Sequence, residues 1–204
     1  MTTVDLTTPA LALSDDAADL LFRTARTANT FTDEPVSDEQ LRAVHDLVQY
    51  GPTALYAQPL RVLLVRSPGA RARLVQHMGG SNKDKTAGAP PVAVLGYDLD
   101  FHEQLPTVFP HFPGAKDMYA EEASRHVAGR DNAWLQAGYF IVGVRAAGLA
   151  AGPMGGFDAA GVDVEFFPDG RTRSLLVVNI GRPGPDAWFD RNPRRPYDQV
   201  VTTV

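Results

Sequence analysis

The stretch that decides the fold, Asn132 to Asp158, reads NAWLQAGYFIVGVRAAGLAAGPMGGFD. Its first part, 132–147, is apolar almost all round, with Gln136 and Arg145 as the main polar interruptions. A helix that is hydrophobic on every face must be buried on every face. At about 16 residues it is shorter than a membrane span, which needs about 20 mainly apolar residues. We therefore predict a central core helix, or a helix buried between subunits.

The second part of the stretch, Gly152 to Phe157, has the composition of a turn with few side chains. Gly148 is expected to end the helix, as glycine does at a C-cap, and Asp158 can cap a following helix over 159–166. The two adjacent glycines of the turn let another group approach backbone N–H donors closely. We interpret the turn as a candidate ligand cradle. The alternative is an ordinary tight loop between two helices, since glycine turns are common.

Composition limits the class of protein. A length of 204 residues suits one domain, and we expect a flexible arm over 1–13 followed by a domain over 14–204. The net charge of −5 argues against a general nucleic-acid binder, which would show a basic face. The absence of cysteine excludes disulfides and a cysteine nucleophile, and it fits the cytoplasm. We recognise no signal peptide and no membrane-spanning segment, so no membrane partner is expected.

Periodic segments predict further helices and strands. A helix begins after Ser14 and runs to about Thr27, and a capping box of Ser37 and Gln40 opens the next helix. Three apolar runs predict strands, the first of them buried: they are 61–65, 92–97 and 174–181. Helices and strands alternate without a βαβ rhythm, and no Gly-x-Gly-x-x-Gly follows a strand, which argues against a Rossmann cofactor site.

The segment 98–113 is irregular and rich in proline, and such long insertions are often functional lids. The sequence does not decide whether Leu105 to His111 forms a lid or a wall. An amphipathic helix over 118–127 is expected to lead into the core helix. The histidines His102, His111 and His126 match no metal-ligand spacing, so we predict no metal site. An acid–base role for one of these histidines stays open.

Two groups of arginines are candidate anion sites. Arg23 and Arg26 lie three apart and share a helix face. With the hydroxyl of Thr27 they can hold a phosphate, because guanidinium groups bind phosphate oxygens in a bidentate way. A solvated surface pair is the alternative. Arg194 and Arg195, near the C-terminus, form the second candidate group.

Ten short segments, in a fixed order from about residue 15 to the C-terminus, carry a family resemblance. They are Arg26–Asn29, Asp33–Asp38, Tyr50–Thr53, Asn82–Pro90, Leu105–His111, Leu135–Tyr139, Gly148-Leu149, Gly152–Asp158, Asn179–Gly181 and Pro193-Arg194. Each is weak alone. Together and in this order they resemble the FMN-dependent nitroreductase family, and most closely the branch that contains the malonic semialdehyde reductase of pyrimidine breakdown.

The resemblance implies an α+β fold, with a central, mostly antiparallel sheet flanked by helices. It also implies an intertwined homodimer with FMN at each interface, in which the core helix spans the dimer. NADH or NADPH would donate a hydride to flavin N5, and the reduced flavin would pass it to a small-molecule substrate in a ping-pong cycle. The sequence does not choose between the two nicotinamides.

The same resemblance implies roles for individual residues. Arg26, Thr27 and Arg194 would bind the FMN phosphate, Pro52 and Thr53 would lie along the ring, and Asn82 and Lys85 would face its pyrimidine edge. Lys85 is the predicted catalytic residue, because a fixed positive charge stabilises the negative charge that reduction places at flavin N1 and O2. The full predicted cofactor-binding set is Arg23, Arg26, Thr27, Asn29, Pro52, Thr53, Tyr56, Asn82, Lys85, Pro153, Met154, Gly155, Gly156, Arg194 and Arg195, with backbone N–H groups of Gly155 and Gly156 directed toward flavin N5 and O4.

Two departures from the family pattern stand out. Where the family has Ser-x-Asn after Gly-Pro-Thr, this chain has Ala54-Leu55-Tyr56. Two polar contacts with the flavin are therefore lost, and each loss costs on the order of 1 kcal/mol of binding free energy. Gln58 is a candidate replacement for the lost amide. Trp134 stands where the branch has a small residue, and it either narrows the pocket or fills the core.

These observations predict an FMN-dependent NAD(P)H oxidoreductase. Its acceptor would be a malonic semialdehyde-like aldehyde, a nitro compound or a quinone. The alternatives are a flavin-dependent oxidase or dehydrogenase that modifies a metabolite, and a flavin-binding protein without turnover.

Overall fold

A computed structural model of the chain describes residues 11–204. Most of the predicted N-terminal arm, residues 1–10, lies outside the described part, and Leu11 and Leu13 are exposed. Of the helices in 11–204, none is long and apolar enough to cross a membrane.

Four strands form one sheet in the order β1-β2-β4-β3, and every neighbouring pair is antiparallel. The strands are β1 (Leu60–Val65), β2 (Val92–Asp98), β3 (Ala150–Met154) and β4 (Thr172–Gly181). The predicted mostly antiparallel sheet is therefore confirmed. The prediction that the first strand is buried is wrong, because β1 is an edge strand whose Val62 and Leu64 side chains are exposed.

Helices cover both faces of the sheet, as the fold class predicted. They are α1 (Asp15–Ala18), α2 (Asp38–Val48), α3 (Pro68–His77), α4 (Asn82–Ala87), α5 (Leu105–Val108), α6 (Glu122–Ala146) and α7 (Ala159–Phe166). On one face α2 and α6 pack over Ala93 and Leu95, and on the other α3 and α7 pack over Val92 and Val94. Successive residues of β2 thus enter different cores, which explains its continuous apolar run.

The helix caps follow the sequence. Ser14 caps α1, which continues as a π-helical turn over Asp19–Arg23 and so ends before the predicted Thr27. Ser37 and Gln40 form the predicted capping box of α2. The helix α7 begins after Asp158, whose side chain accepts a hydrogen bond from the backbone N–H of Gly161.

The core helix differs from its prediction in length and burial. It begins at Glu122 rather than near 132, and it takes in most of the helix predicted over 118–127. Gly148 follows its C-terminus with φ +70°, a left-handed conformation that favours glycine. Only one side of α6 is buried within the chain, through residues such as Phe140 and Val144. The prediction of a helix buried on every face is therefore wrong for a single chain.

The irregular segment 98–113 folds into a small core of its own. Phe101 and Leu105 are fully buried there, against Ala57 and Ala115. Short 3-10 turns, Phe101–Gln104 and Pro113–Tyr119, flank α5. The proline-rich sequence thus forms a packed wall beside the sheet.

A buried carboxylate anchors the end of β2. Asp98 is fully buried and accepts two hydrogen bonds from Arg171, at 2.7 and 2.8 Å, and one from Arg61 at 2.6 Å. Burial pushes the pKa of Asp98 upward, but the hydrogen bonds from Arg171 and the backbone N–H of Asp100, with the charge of Arg61, hold it below its ordinary value. The network ties β1, β2 and the start of β4 together.

Candidate functional site

The edge strand β3 carries the glycine turn. Gly152, Pro153 and Met154 belong to this strand, so the prediction of a turn over 152–157 is wrong for its first half, and a loop directly joining two helices is excluded. A Cβ on Gly152 would lie 2.6 Å from the carbonyl oxygen of Ala28, whose N–H donates to Ala151 at 3.0 Å. Glycine is needed here because the segment that contains Arg26 runs directly against β3.

The turn itself consists of Gly155 and Gly156. The carbonyl oxygen of Gly156 accepts hydrogen bonds from the backbone N–H of Gly79 at 2.9 Å and from Asn82 Nδ2 at 3.1 Å. A Cβ on Gly156 would lie 2.9 Å from Asn82 Nδ2, whereas one on Gly155 would meet nothing within 4 Å. Across residues 11–204, the N–H groups of these two glycines donate no hydrogen bond outside the strand ladder. The turn is therefore fixed through the carbonyl oxygen of Gly156, while the space next to Gly155 is open to a ligand.

Lys85 lies one helical turn after Asn82, on α4. Its side chain is half-buried, and its Nζ lies 6.0 Å from the ring centroid of Phe189. No carboxylate of the described residues forms an ion pair with it. A partly desolvated ammonium without a counter-ion is therefore available to an anionic or electron-rich ligand.

Phe189 connects Lys85 with the arginine segment. Its carbonyl oxygen accepts a hydrogen bond from Arg26 Nη1 at 3.1 Å, while its ring faces Lys85. Arg191 continues the link, since its guanidinium donates to the carbonyl oxygens of Arg23 and Ala25. The sequence-based analysis missed Phe189 and Arg191, and the aromatic pair Trp188-Phe189 within a charged tail was the available signal.

Three members of the predicted cofactor-binding set form hydrogen bonds within the chain. Arg23 Nη1 lies 2.9 Å from Asp15 and 3.2 Å from Asp19, and these hydrogen bonds raise its pKa further. The side-chain amide of Asn29 donates to the carbonyl oxygen of Ala187. Arg194 donates to the carbonyl oxygen of Asn192 at 2.8 Å. The contacts of these three residues with a ligand stay predictions.

The other predicted contacts differ in exposure. Thr27 follows Arg26 beside β3 and is exposed, as is Arg195 in the C-terminal tail. Pro153 is half-buried and Met154 is buried, where its Sδ faces the amide of Asn179. Their contacts with a ligand stay predictions.

The segment that contains Pro52, Thr53 and Tyr56 stands apart from this cluster. It precedes β1, whereas Gly155 follows β3, and these strands are the opposite edges of the sheet. Three spacings of about 4.8 Å separate the edges, which gives roughly 14 Å within one chain. The structure therefore divides the predicted site residues into two groups.

The second group has a strained backbone. Leu55, Tyr56 and Gln58 adopt φ values of +52°, +53° and +43°, in the left-handed region. Such residues cost on the order of 1–3 kcal/mol each and persist only where neighbours fix them. Two contacts do so: Asn132 Oδ1 accepts from the N–H of Ala54 at 2.7 Å, and Thr53 Oγ1 accepts from the N–H of Gln58 at 3.2 Å.

The side chains of this segment form an aromatic surface. Tyr56 is 61% exposed and stacks on Phe109 with ring centroids 5.9 Å apart. The amide of Gln58 donates to the carbonyl oxygen of Tyr56 at 3.2 Å, so it fixes the turn in place. Trp134 is 46% exposed on α6, so the interpretation that it fills the core is wrong.

The histidines are not grouped around a metal centre. His126 Nδ1 lies 3.2 Å from the hydroxyl of Tyr97, and His126 Nε2 lies 3.6 Å from Glu122. Within the part of the chain that the structure describes, no group of three His, Cys, Asp or Glu side chains could hold a metal ion.

Comparison with known sequences identifies relatives over almost the whole chain. The model of the nitroreductase family matches residues 23–182. A Streptomyces coelicolor protein, provisionally named NADH dehydrogenase/NAD(P)H nitroreductase, is 65% identical over 195 residues, which is 95% of this chain and 99% of that protein. A Leptothrix cholodnii protein with the same provisional name is 47% identical over 194 residues, 95% and 98% of the two chains.

Solved structures show the same fold at low identity. A protein from Exiguobacterium sibiricum, provisionally named a nitroreductase and determined in complex with FMN, superposes with a TM-score of 0.83 at 17% identity, over 94% of this chain and 98% of that one. The protein ydfN from Bacillus subtilis, provisionally named a nitroreductase, gives a TM-score of 0.81 at 22% identity, over 88% and 95% of the two chains.

Proposed function

The chain belongs to the nitroreductase family, and from this premise we propose that it is an FMN-dependent NAD(P)H oxidoreductase that reduces a small organic acceptor. When bound, FMN supplies the two-electron chemistry, taking a hydride from NADH or NADPH and giving it to the acceptor. The proposed acceptor is an aldehyde such as malonic semialdehyde, a nitro compound or a quinone. The names of the relatives and the FMN complex of the Exiguobacterium protein support the assignment.

The observation that carries the proposal is the open turn at the end of β3. Gly155 has free space where a side chain would stand, and the N–H groups of Gly155 and Gly156 are available as donors. Asn82 fixes the turn from behind through Gly156. A pair of open backbone donors, with an unpaired ammonium on the helix that holds the turn, suits the polar edge of a flavin ring, so the residues present fit the group.

Lys85 would act as a fixed positive charge in this site. Its half-buried position lowers the local dielectric, so its field is stronger than that of a fully solvated lysine. The contact with Phe189 limits the freedom of its side chain. The ammonium would thus favour the reduced, negatively charged state of the ligand without moving during the reaction.

The separation of the two groups of site residues supports a homodimer. A flavin held at Gly155 is roughly 14 Å, across the sheet, from Pro52, Thr53 and Tyr56 of the same chain. The segment would instead reach the flavin from a second copy of the chain. One side of α6 is apolar and uncovered, with Trp134, Leu135 and Tyr139 between 46% and 53% exposed, and it offers a surface on which two copies could pair.

An absorption spectrum of the purified protein tests the proposal. We expect a yellow protein whose flavin band bleaches when NADH or NADPH is added without oxygen, and recovers when a nitro compound, quinone or aldehyde is added. A flavin that neither nicotinamide reduces would instead favour the oxidase or the flavin-binding alternative. Protein that cannot be loaded with FMN at all would contradict the proposal.

A further inference from the structure

The strained turn over 53–58 is built from residues that do not favour its backbone. Leu55, Tyr56 and Gln58 have left-handed φ values of +52°, +53° and +43°, and none of them is a glycine. Glycine adopts this conformation at little cost, whereas a residue with a Cβ meets its own carbonyl oxygen there. The turn therefore depends on contacts that hold it in place.

Asn132 supplies the contact that comes from another element. Its side chain projects from α6 and is buried. Its Oδ1 accepts a hydrogen bond from the N–H of Ala54 at 2.7 Å, and its Nδ2 donates to the carbonyl oxygen of Ala128, one turn earlier in α6, at 2.8 Å. Because both ends of the amide are bonded, its orientation is fixed. The amide thus ties the start of the turn to the helix.

Three side chains on one face of α6 hold the segment 51–60. Besides Asn132, Gln136 Oε1 accepts a hydrogen bond from the N–H of Leu60 at 2.9 Å, and the ring of Tyr139 lies 3.0 Å from the position of a Cβ on Gly51. The three residues are four and three positions apart, so they share a helix face. Of the three contacts, only that of Asn132 is made within the strained turn.

Tyr56 is the side chain that the turn presents. It is largely exposed, and its ring stacks on Phe109. Strained backbone is concentrated at functional sites, where the surrounding structure over-determines it. Ala54 has no polar side chain, so this part of the turn can act on a ligand through Tyr56 and through the backbone.

We propose that Asn132 is a positioning residue, which holds Tyr56 in the orientation that contacts the flavin of the second copy. The inference rests on the proposed function, in which the segment of Tyr56 reaches that flavin. Asn132 acts through Tyr56 and not by touching the flavin. Without its acceptor oxygen, the left-handed residues would relax to ordinary φ values, and the ring of Tyr56 would turn away.

The test is a double-mutant cycle in the full-length protein, with Asn132→Leu, Tyr56→Leu and both together. FMN affinity is measured by fluorescence quenching, and hydrogen exchange of the backbone amides is measured without flavin. Gln136→Leu is the matched control, because it removes another amide of the same helix face from the same segment. Asn132→Ser is the second variant should Asn132→Leu not fold.

We expect Asn132→Leu to weaken FMN at least about tenfold, and the double variant to bind FMN no more weakly than Tyr56→Leu, because coupled residues are not additive. In Asn132→Leu without flavin, the amides of 54–58 should exchange at least about tenfold faster, while those of β2 keep the wild-type rate. Gln136→Leu should retain the FMN affinity of wild type.

Other results would overturn the role of Asn132. Losses of affinity that add in the double variant would show that it does not act through Tyr56, and an equal loss in Gln136→Leu would show a general effect of the segment. Unchanged FMN affinity or unchanged exchange in Asn132→Leu would have the same consequence while the proposed function stands. A wild-type protein that binds no FMN would contradict both.

Discussion

Lys85 is the residue on which the proposed chemistry depends most directly. We expect Lys85→Met to slow flavin reduction by NADH at least tenfold, because an unpaired charge beside the ligand is replaced by a neutral side chain of similar length. Stopped-flow absorbance under anaerobic conditions measures this rate. Lys83→Met, on the exposed side of the same helix α4, is the control and should reduce at the wild-type rate.

An unchanged rate in Lys85→Met would remove Lys85 from the proposed chemistry. The role depends on position rather than on folding, since Lys85 forms no ion pair among the described residues. Thermal unfolding of the variant should therefore stay close to that of wild type. A loss of both stability and rate would point to a structural role.

Single residues also show where sequence-based prediction ends. The glycines of the turn could be predicted, because backbone donors beside glycine are a local signal. The contact of Lys85 with Phe189 could not, since it joins residues more than a hundred positions apart. The ion pairs of Arg23 are local by contrast, since Asp15 and Asp19 lie on the same helical segment.

At the scale of one element, β3 is fixed in place by a close approach of two backbones. We expect Gly152→Ala to destabilise the protein by about 1–3 kcal/mol, since its Cβ would lie 2.6 Å from the carbonyl oxygen of Ala28. Urea unfolding of the flavin-free protein measures this. Gly155→Ala, where nothing lies within 4 Å, should leave that free energy within about 0.5 kcal/mol of wild type and weaken FMN instead.

The two variants separate folding from cofactor binding, because Gly152 lies within β3 and Gly155 directly follows it. Equal destabilisation by both variants would contradict the open space next to Gly155. Normal stability of Gly152→Ala would mean that the segment of Arg26 can move away from β3 without cost. Only the first of these results would require revision of the proposed donor pair at Gly155 and Gly156.

Asp98, at the end of β2, makes the free energy of unfolding depend on pH. Its pKa in the folded protein lies below the value of the unfolded chain, so its contribution to stability is complete above the unfolded value, near 3.8, and is lost as the pH falls through the folded value. We expect Asp98→Asn to cost about 3 kcal/mol at pH 7. Urea unfolding from pH 7 down to pH 3 should show less loss on acidification in the variant than in wild type.

Asp100→Asn is the matched control for that experiment. Asp100 is half-exposed and only 3.7 Å from Arg171, so its removal should change the stability at pH 7 by less than about 1 kcal/mol. An equal acid sensitivity in wild type and Asp98→Asn would show that the ion network of Asp98 does not stabilise the folded state.

Elements were predictable where the signal was local. The capping box of α2 and the strands β2 and β4 follow from short patterns. The length of α6 and the edge position of β1 do not, because a helix continues until its packing changes, and edge and centre are decided by which strands pair. The small core around Phe101 and Leu105 was not predictable for a similar reason, since no local pattern marks it.

At the scale of the whole molecule, the proposed function places the site between two copies of the chain. The uncovered side of α6 and the exposed apolar residues of the tail, such as Val200 and Val201, are surfaces that a single chain leaves in water. A stable interface buries about 1,200–2,000 Å² in total. The predicted homodimer would cover α6 and bring the Tyr56 segment of one copy toward the glycine turn of the other.

Substitution on α6 tests this arrangement. We expect Leu135→Glu to yield monomers in sedimentation experiments, because a buried, unpaired carboxylate at the interface costs several kcal/mol. FMN affinity should fall with it, since the contacts of Pro52 and Tyr56 come from the second copy. Val164→Glu, on the exposed face of α7 across the sheet, should remain dimeric and retain FMN. Monomers that bind FMN as tightly as wild type would show that each chain holds a complete site, and Leu135→Glu dimers would place the interface away from α6.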